Sequence, residues 1–542
     1  MLSRRQFLTR SGATGAALVI APQTALEALA APRGFASRLL RGGRFRQGVL
    51  SGDPTPRGIT LLTVLDDVRG AGSVRLEVAR DSDFRRVVAR RTIATSGRRG
   101  HSVKARLEGL RPHERYWYRF ETRDEESPVG RFQTALPEDS DEPVRFAFFS
   151  CAEYTHGYYN AYEVMRRDDV DFVVCLGDYV YGDAYHSRRG GTGVRDDRIG
   201  REPLPGNREQ IVREAVTLED YRSKYALYRS DRALRRLHAR FPMVAVWDDH
   251  EVQDNYAGRA PGGGLDAAKR FSARRRRAAY KAYFEAMPFF PRGGSRIYRA
   301  QRHGRTMDLM MLDQRQYRAD QPCGDAVVPP CDTWDQPRAF LGRAQMDWLK
   351  RRLSGSRAAW KVIGSQTLMM PARVTGGAFY TYDFWNGYPR EREELLAHIR
   401  DEGIRDVVFI TGDIHLFLAG DVRTSAGESV ALEFVGGSIT STNFGEMDID
   451  AGGGTVIQGD DRNPSTDPAI VQALRDLNPW VDQGDFDHHG YARVTASQDA
   501  FGVTLERVAT IKRRLRRTLP RDGFQYQVAR GQTSIKGVNG PP

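Results

Sequence analysis

Lysine is scarce in this sequence of 542 residues. Only eight of its 82 basic residues are lysine, and the others are arginine. The formal net charge is +13. Arginine binds phosphate and carboxylate through a bidentate fork, so the excess fits anionic partners, but an arginine-rich genome produces the same bias. Net charge bears on association rather than on fold or chemistry, and it gives no reason to predict a nucleic-acid-binding role.

Long apolar runs and cysteines are also few. No apolar run reaches the ~18 residues that a membrane helix needs, which excludes a polytopic membrane protein and predicts no transmembrane segment in the mature chain. Four cysteines in a chain of this length exclude a disulfide-packed miniprotein. Hydrophobic residues make up 40% of the composition, which is typical of globular proteins, and the length predicts two or three domains.

Residues 1–30 have the features of an export signal. Arg4 and Arg5 form a twin-arginine pattern, a short apolar region spans 11–22, and residues 28–30 form an A-x-A cleavage site. The twin-arginine export machinery transports folded proteins, and a common reason to use it is a metal or cofactor that must be inserted before export. We therefore expect an exported protein in the periplasm, at the cell surface or secreted.

The cysteine spacing predicts one disulfide. Cys323 and Cys331 flank a short proline-containing loop, and such a pair is expected to be oxidised in an exported protein. Cys175 lies within an apolar run and is predicted to be a buried structural thiol. Cys151 stands directly after an apolar run and belongs with the strand ends described below.

The segment 31–136 is rich in strand patterns and has no helical periodicity. Its short β-rich runs are separated by turn residues, which predicts a small β-sandwich of immunoglobulin or fibronectin type. The predicted strands are 59–64, 74–78, 87–93, 116–120 and 130–134. An acidic linker bounded by prolines follows at 137–143.

Apolar runs alternate with helical periodicity over 144–510, which predicts a layered α/β domain. The predicted strands are 144–150, 172–176, 243–247, 307–312, 360–364, 407–411, 431–435, 491–494 and 502–507. The predicted helices are 161–167, 218–240, 267–285, 343–352 and 391–401. A basic C-terminal tail is expected at 511–542.

Chemically reactive side chains follow five of these predicted strands. The strand ends carry Cys151, residues 177–181, residues 248–251 with Asn255 shortly after, Asp313, and residues 412–415. In α/β sheets, ligands bind at the carboxyl ends of the strands. A group of aspartates at one sheet edge is costly unless cations occupy it, so the pattern predicts a metal site.

The donor types predict two unlike metal ions. Aspartate and asparagine oxygens suit Ca²⁺, Mg²⁺ or Mn²⁺, whereas a thiolate, a phenolate and an imidazole suit a transition metal such as iron. One carboxylate would then bridge the two ions. Two metals roughly 3.5–4 Å apart clamp the attacking and leaving oxygens of a phosphoryl transfer. The sequence therefore predicts a phosphoesterase without a serine nucleophile, and no Gly-x-Ser-x-Gly motif is present.

These motifs resemble those of calcineurin-like metallophosphoesterases, and more narrowly those of PhoD-type alkaline phosphatases and their phospholipase D-like relatives. In that family a Ser-Cys pair, here 150–151, replaces the usual first Asp-x-His, and an Asp-Asp-His-Glu run, here 248–251, replaces Gly-Asn-His. Further similar runs lie at 48–54, 312–317 and 383–389. The resemblance implies a layered αββα metallophosphoesterase domain preceded by the small β-sandwich.

The resemblance also implies a role for each residue of the centre. The residues implied as Fe³⁺ ligands are Cys151, Asp178, Tyr181 and His415. Those implied on the Ca²⁺ side are Asp249, Asn255 and Asp413. Asp178 would bridge the two sides, and Asp248 could replace Asp249, because the sequence does not say which of the two faces inward. His250 would lie near the phosphate as an acid or charge stabiliser, or would play a structural role behind the ligands.

The predicted activity is hydrolysis of phosphate monoesters, diesters or both. A phospholipase D-like phosphodiesterase is the alternative among enzymes, and a surface protein that binds anionic polymers without catalysis is the alternative outside them. A protein that only binds anionic polymers does not need reactive side chains at the strand ends. Their presence therefore favours the enzyme hypothesis. Two smaller features stay open. The pair 488–489 fits a metal cluster or a loop near the mouth of the site, and 436–442 fits a loop close to substrate or an ordinary turn.

Overall fold

The structure is a computed structural model that describes residues 38–182, 194–195, 201–203, 210–212, 214–262, 271–449, 455–457, 468–515 and 522–535. The predicted export signal lies outside the described residues. So do the start of the helix predicted at 267–285 and the parts 516–521 and 536–542 of the expected tail.

Strands β1–β7 precede the linker. They are β1 (Val49–Thr55), β2 (Gly58–Val64), β3 (Gly72–Ala79), β4 (Val87–Thr95), β5 (Ser102–Leu107), β6 (Arg115–Glu121) and β7 (Gly130–Gln133). The sequence pattern does not predict β1 or β5. Gly52, Asp53 and Pro54 have low strand propensity, so β1 depends on pairing with its neighbours rather than on its own residues.

Strands β8–β24 follow the linker. They are β8 (Val144–Phe149), β9 (Phe172–Cys175), β10 (Arg201–Pro203), β11 (Gln210–Val212), β12 (Pro242–Ala245), β13 (Arg299–His303), β14 (Met307–Met311), β15 (Trp360–Ser365), β16 (Val407–Thr411), β17 (Phe417–Arg423), β18 (Ser429–Gly436), β19 (Met447–Ile449), β20 (Thr455–Ile457), β21 (Val481–Asp485), β22 (His489–Ala496), β23 (Ala500–Val508) and β24 (Asp522–Ala529). The predicted strands of this part agree with the observed ones to within a few residues.

Helices lie between many of these strands. They are α1 (Asn160–Met165), α2 (Leu218–Tyr228), α3 (Arg232–Arg240), α4 (Ala273–Ala286), α5 (Arg343–Gly355), α6 (Pro389–Asp401) and α7 (Pro468–Leu477).

The single helix predicted at 218–240 is wrong, because the chain forms α2 and α3 there. Asp231 has an extended backbone, and its side chain accepts a hydrogen bond from the Ala233 N–H at 2.7 Å, which caps α3. Thr217 and Asp220 form a capping box at the start of α2. An N-cap of this type stabilises a helix start by about 1 kcal/mol, so the capping residue divides a continuous apolar periodicity.

Two large sheets carry the strands after the linker. The first has the order β24-β23-β22-β8-β9-β12-β1-β2-β5, and the second has the order β13-β14-β15-β16-β18-β17-β21. Strands β8, β9, β12 and β1 run parallel in the first sheet, as do β14, β15, β16 and β18 in the second. Parallel neighbours bring their carboxyl ends to one edge, so each sheet gathers its strand-end loops there.

Strand β14 shows how the layers are held together. Met307, Leu309 and Met311 belong to the apolar core that contains both sheets, whereas Met310 belongs to the core under α5 and α6. Successive side chains of a strand point to opposite faces, so this strand is apolar on both. Helices α1 and α3 pack on the first sheet, and α6 packs on the second. The predicted layered α/β class is confirmed.

The N-terminal β-sandwich shares a sheet with the α/β domain. One of its layers is the four-stranded sheet β4-β3-β6-β7, and the other consists of β1, β2 and β5. Strand β1 pairs in parallel with β12, where Ser51 lies opposite Pro242 and Gly52 lies opposite Met243. The predicted β-sandwich is therefore present, but one of its layers continues the large sheet. No local sequence signal indicates this pairing, because the two strands are far apart in the chain.

Strand β24 lies inside the segment expected to be a basic tail. It pairs antiparallel with β23 from Ala500–Ala529 to Arg507–Asp522. Tyr526 and Val528 of β24 are buried. Part of the tail is thus the edge strand of the first sheet. Among the described residues, no helix is both long and apolar enough to cross a membrane.

Candidate metal centre

The predicted strand ends meet between the two large sheets, and two glycines allow them to approach closely. A Cβ at Gly177 would lie 2.4 Å from the Cβ of Asp248, and a Cβ at Gly412 would lie 2.5 Å from the Oγ of Ser150. Gly177 also has a φ of 120°, which side chains with a Cβ rarely adopt. Each Gly-Asp motif therefore brings its aspartate against a neighbouring strand end.

Three overlapping groups of metal-type donor atoms lie at this point, and the atoms of each group are within 4.8 Å of one another. The groups are Cys151 with Asp178 and His415, Asp178 with Asp249 and His250, and Asp178 with Asp248, Asp249 and Asp413. Asp178 belongs to all three. One carboxylate thus lies between a side with a thiol and an imidazole and a side made of carboxylates.

Five of the predicted site residues have a left-handed backbone. The φ angles are 58° at Cys151, 52° at Asp178, 51° at Asn255, 66° at Asp413 and 62° at His415. Residues with a Cβ reach this region at a cost of about 1–3 kcal/mol each, and such strain persists only where the surrounding structure enforces it. Eight other described residues with a Cβ also have a positive φ, but these five all lie at or beside the centre, where strained backbone commonly occurs.

His415 is oriented by a backbone carbonyl. Its Nδ1 lies 2.7 Å from the carbonyl oxygen of Thr442. A carbonyl can only accept, so Nδ1 carries the proton and Nε2 keeps its lone pair. Burial lowers the pKa of His415 to about 4, which keeps the imidazole neutral. Histidines that bind metals commonly have this arrangement.

Tyr181 connects the two histidine-containing groups. Its hydroxyl donates to Oδ2 of Asp178 at 3.1 Å and lies 2.5 Å from Oγ of Ser441. Its ring stacks on the ring of His250, with 4.1 Å between the centroids. The phenol oxygen therefore reaches the shared carboxylate, while the ring fixes the plane of the imidazole.

His250 lies on the carboxylate side and is partly open to solvent. Its Nε2 is 3.8 Å from Oδ2 of Asp249 and 3.8 Å from Oδ1 of Asp254. Its side chain is 14% exposed, compared with 2% for Asp249. Its backbone N–H points to Oδ1 of Asp178 at 3.3 Å. A molecule entering the centre can thus reach the imidazole.

Asp248 and Asp249 both belong to the carboxylate group but differ electrostatically. Burial raises the pKa of Asp248 to about 6, although Arg315 opposes the shift. Burial acts on Asp249 in the same direction, but the charges of Arg315 and His250 outweigh it and hold the pKa at about 2. Asp249 also accepts a hydrogen bond from the Asn255 N–H at 2.7 Å. Asp249 therefore carries its negative charge at a lower pH than Asp248, and it belongs to two of the three donor groups whereas Asp248 belongs to one.

A buried arginine compensates part of the negative charge. The guanidinium of Arg315 contacts Asp248, lies 3.2 Å from Asp249 and 3.7 Å from Asp413, and donates to Asp383 at 2.9 Å. Its side chain is fully buried. The sequence argument assumed that nothing neutralises the aspartates, and this is wrong in part. Arg315 follows β14 of the second sheet, whereas Asp248 and Asp249 follow β12 of the first, so the sequence gives no local signal for this pairing.

Replacing Arg315 with methionine should destabilise the metal-free protein by about 3–5 kcal/mol, because buried carboxylates lose their cation. Added calcium should recover part of this loss if the carboxylate group binds it, because a cation bound only in the folded state stabilises that state. Urea unfolding with a chelator and with calcium measures both effects. Arg343→Met is the control, because Arg343 is 62% exposed and its ion pairs contribute little. An equal loss with and without calcium would contradict this role for Arg315.

The donor set fits metal ions. Burial, together with the charges of Asp178 and Asp413, raises the pKa of the Cys151 thiol well above its ordinary value. Burial also raises the pKa of Asp178 and of Asp413 well above the ordinary value, and neighbouring aspartates add to both shifts. The anionic forms of these groups are therefore not stabilised sufficiently by protein groups alone. Cations at the three donor groups would stabilise them.

Asn255 and Asp313 are placed differently from each other. Asn255 adjoins the group of carboxylates, because its backbone N–H donates a hydrogen bond to Asp249. Its side-chain Nδ2 donates to Oδ2 of Asp325 at 2.8 Å. Asp313 lies two residues after β14, and its Oδ1 accepts a hydrogen bond from the indole N–H of Trp247 at 3.1 Å. It belongs to none of the three groups found among the described residues. The expectation that this strand end contributes a metal-type donor is wrong.

The loop after β18 is a buried part of the centre rather than an ordinary turn. Ser441 and Thr442 orient the phenol and the imidazole described above. Ser438 donates to the carbonyl of Ser441 at 2.7 Å, and its hydroxyl lies 2.9 Å from Nδ1 of His489. His489 is buried and lies 3.2 Å from Glu446, so it supports this loop. Within the described ranges, neither His488 nor His489 belongs to a group of metal-type donors. The interpretation of this pair as a metal cluster is therefore wrong.

The cysteine predictions are confirmed. Cys323 and Cys331 form a disulfide, with 5.6 Å between their Cα atoms. Cys175 is a buried free thiol.

An apolar cleft of about 60 Å³ opens beside the loop that follows β16. It is lined by Ile414, which stands between Asp413 and His415 in the chain. Tyr380 and Phe444 form another wall, with 5.1 Å between their ring centroids. Ile414 thus connects the cleft to the segment that carries Asp413 and His415, and the cleft has room for a small apolar group.

Comparison with known proteins gives consistent matches. The family model "PhoD-like phosphatase" matches residues 146–505, and the model "PhoD-like phosphatase, N-terminal domain" matches residues 30–136. Alkaline phosphatase D of Bacillus subtilis (strain 168) is 34% identical over 519 residues, which cover 91% of this chain and 82% of the relative.

Two solved structures are similar to this chain. The structure of PhoD has a TM-score of 0.78 and 32% identity, and the match covers 93% of each chain. Purple acid phosphatase PPD1 from yellow lupin seeds has a TM-score of 0.51 and 12% identity, with 86% of this chain and 72% of that chain covered. The likeness to the lupin enzyme concerns the fold alone.

Proposed function

The chain belongs to the PhoD-like phosphatase family, and on this premise we propose that its centre binds Fe³⁺ beside Ca²⁺ for the hydrolysis of phosphate esters. Phosphatases of this family are metal-dependent, and hydrolysis of phosphoric esters is the activity of the chain. One observation carries the metal assignment. Asp178 is shared by a group that contains a thiol and an imidazole and by a group of carboxylates.

On the iron side, the proposed ligands are Cys151, Asp178, Tyr181 and His415. A thiolate, a phenolate and an imidazole suit a transition metal better than calcium. The hydrogen bond from Nδ1 of His415 to a carbonyl supports this, because it leaves Nε2 as the donor. The position of the Tyr181 hydroxyl, 3.1 Å from Asp178, supports a common ion for these two residues.

On the calcium side, the proposed ligands are Asp249, Asn255 and Asp413, with Asp178 bridging. Carboxylate and amide oxygens are the donors that calcium prefers. Asp249 is favoured over Asp248 because it belongs to two of the three donor groups and its pKa is held at about 2. The backbone N–H of Asn255 donates to Asp249, which keeps the two side by side.

Cations bound at these ligands supply an activated water and positive charge near the phosphoryl oxygens. The other tasks fall to the chain. His250 is the proposed acid or charge stabiliser, because a protonated ring would pair with Asp249 at 3.8 Å and donate to an ester oxygen. Arg315 holds the carboxylates of Asp248 and Asp249 in place, and the carbonyl of Thr442 holds His415.

Metal analysis of the purified full-length protein, paired with assays on a phosphate monoester and a diester at alkaline pH, tests this proposal. We expect iron and calcium together. A calcium chelator should abolish hydrolysis, and added calcium should restore it while the iron content stays constant. Active protein that contains zinc alone, or that is insensitive to the chelator, would contradict the Fe³⁺ and Ca²⁺ assignment.

A phospholipase D-like phosphodiesterase is the second candidate, and the apolar cleft beside Ile414 favours it. Burying about 50 Å² of apolar surface contributes roughly 1.3 kcal/mol, which corresponds to about tenfold in kcat/KM. A phosphodiesterase of this kind should therefore prefer a soluble short-chain phosphatidylcholine to glycerophosphocholine by at least about tenfold. Equal values for the two diesters would remove this candidate.

We further propose that the protein is exported by the twin-arginine machinery and that the mature chain begins near residue 31. The support is the order of the twin arginines, the apolar region and the small-residue cleavage site. Replacing Arg4 and Arg5 together with lysine should block export, as cell fractionation would show. Arg10→Lys, outside the arginine pair, is the control and should be exported normally. Normal export of the double variant would contradict the proposal.

A further inference from the structure

We propose that Asp325, inside the disulfide-closed loop 323–331, is a positioning residue for calcium binding. It holds the carboxamide of Asn255 so that the oxygen, rather than the nitrogen, is available to the cation, and the disulfide holds Asp325. The inference rests on the proposed function, because it takes Asn255 as a calcium ligand.

The contacts of Asn255 determine which way its amide points. Its Nδ2 donates to Oδ2 of Asp325 at 2.8 Å. The oxygen and nitrogen of an amide look alike in shape, but a carboxylate can only accept, so Asp325 selects the nitrogen. The amide oxygen is then directed away from Asp325. An asparagine in the opposite orientation would present an N–H to the cation, which cannot act as a ligand.

The backbone of Asn255 is held as firmly as its side chain. Its N–H donates to Oδ2 of Asp249 at 2.7 Å, and its carbonyl accepts from the amide of Gln321 at 2.7 Å. Its φ is 51°, so the residue is kept in a left-handed conformation. The side chain rotation that remains is the one that Asp325 controls.

Asp325 is itself fixed by groups outside its own loop. Its Oδ1 accepts from the hydroxyl of Thr381 at 2.7 Å and from the backbone N–H of Tyr382 at 2.8 Å. Its φ is 53°. The carboxylate thus bridges two parts of the chain. Its Oδ1 binds Thr381 and Tyr382, and its Oδ2 binds Asn255.

The disulfide restricts a loop that has few other constraints. Cys323 and Cys331 are separated by eight positions, and Asp325 lies between them. The loop is largely exposed, with Val327 at 61% and Val328 at 37%. One hydrogen bond ties its outer part, from the hydroxyl of Tyr382 to the carbonyl of Val328 at 2.9 Å. Opening the cross-link would leave Asp325 held only by its hydrogen bonds to Thr381, Tyr382 and Asn255, and the added freedom of the loop would weaken that hold.

The test measures calcium affinity by calorimetry on the full-length protein with iron retained. Asp325→Asn keeps the shape of the side chain but can also donate, so it no longer selects the amide nitrogen. It should weaken calcium binding roughly 10- to 100-fold, the range for groups that orient ligands. Asp335→Asn is the control, because Asp335 is 62% exposed and pairs only with Arg390 among the ion pairs seen. It should leave the affinity unchanged.

A double variant that exchanges the two side chains tests whether Asp325 acts by orienting the Asn255 amide or only by stabilising the fold. In Asn255→Asp the two terminal oxygens are equivalent, so no orientation is needed, and Asp325→Asn then supplies the donor. The double variant Asn255→Asp/Asp325→Asn should therefore bind calcium more tightly than Asp325→Asn alone. Iron content and the urea midpoint report whether each variant is folded. A swapped pair that is as weak as Asp325→Asn, although folded, would overturn the orienting role.

The disulfide is tested in two ways. Cys323→Ser/Cys331→Ser should weaken calcium binding about tenfold. Dithiothreitol should do the same to the wild type, because it reduces the disulfide to two thiols and is itself oxidised to a cyclic disulfide. It should have no effect on the double serine variant. Unchanged affinity in both experiments would overturn the role of the disulfide.

Failure of the inference and failure of the proposed function are distinguishable with Asn255→Ala. If this variant binds calcium like the wild type, Asn255 is not a ligand and the ligand assignment fails. If it binds weakly while Asp325→Asn binds normally, the assignment stands and the role of Asp325 is overturned.

Discussion

Replacement of Asp178 by alanine is expected to remove both metals and to lower phosphatase activity by at least about 10³-fold. The reason is that Asp178 alone belongs to all three groups of metal-type donors. Losing it takes one ligand from each side at the same time. Metal analysis of the purified variant and assays on a monoester provide the measurement.

The same substitution should stabilise the metal-free protein. Burial and the neighbouring aspartates raise the pKa of Asp178 well above its ordinary value, despite the opposing charge of His250. At alkaline pH the ionised carboxylate therefore costs free energy in the folded state relative to the unfolded chain, and alanine removes that cost. The urea midpoint in the presence of a chelator should rise.

Asp313→Ala is the matched control, because Asp313 is also a buried aspartate after a strand but belongs to none of the donor groups found among the described residues. Its carboxylate accepts hydrogen bonds from Trp247 and from the backbone N–H groups of Arg315 and Gln316. It should lower stability and keep both metals. If Asp178→Ala loses one metal and keeps the other at full occupancy, Asp178 is not the bridging ligand.

Replacement of Tyr181 by phenylalanine is expected to abolish or shift a visible absorption band and to lower activity about 10²-fold. A phenolate bound to ferric iron gives rise to a charge-transfer band, and phenylalanine lacks the donor oxygen. In the wild type the centroids of the Tyr181 and His250 rings are 4.1 Å apart. The phenylalanine ring should keep this stacking, so the fold should be preserved. Absorption spectra, iron content and rate assays on the same preparation measure the effects.

Tyr179→Phe is the control from the same motif. Tyr179 is buried as well, but its hydroxyl lies 2.8 Å from Nε2 of His238, away from the donor groups. Its loss should cost stability and leave the colour unchanged. Cys151→Ser should weaken iron binding without removing calcium. If Tyr181→Phe is silent in colour, iron content and activity, Tyr181 is a packed aromatic that only hydrogen-bonds to Asp178 and Ser441.

The location of the centre could be predicted from sequence because its signals are local. An apolar run followed by Gly177-Asp178 or by Gly412-Asp413 identifies a strand and the group at its end within a few residues. Parallel strands then bring such ends together without further information. For the same reason the Cys323–Cys331 disulfide was predictable, since its partners are eight positions apart.

The protein groups that neutralise or orient the donor residues could not be predicted from such local sequence signals. Arg315 comes from the second sheet and pairs with Asp248 and Asp249 of the first, so its role exists only once the sheets are stacked. The carbonyl of Thr442, which orients His415, leaves no trace in the sequence, because every residue has a carbonyl. Asp313 illustrates the opposite error: like Asp178 it follows an apolar run, but its Oδ1 accepts a hydrogen bond from Trp247 and it joins none of the donor groups found among the described residues.

By itself, the sequence determined the layered α/β class, the preceding β-sandwich and the strand ends that carry the chemistry, because hydrophobic periodicity and turn residues act over a few neighbours. Only the tertiary structure decided that β1 pairs with β12, that β24 is an edge strand, and that Arg315 pairs with Asp248 and Asp249. These outcomes depend on contacts between residues far apart in the chain. Burial and charge at such contacts are properties of the packed molecule and of no single segment.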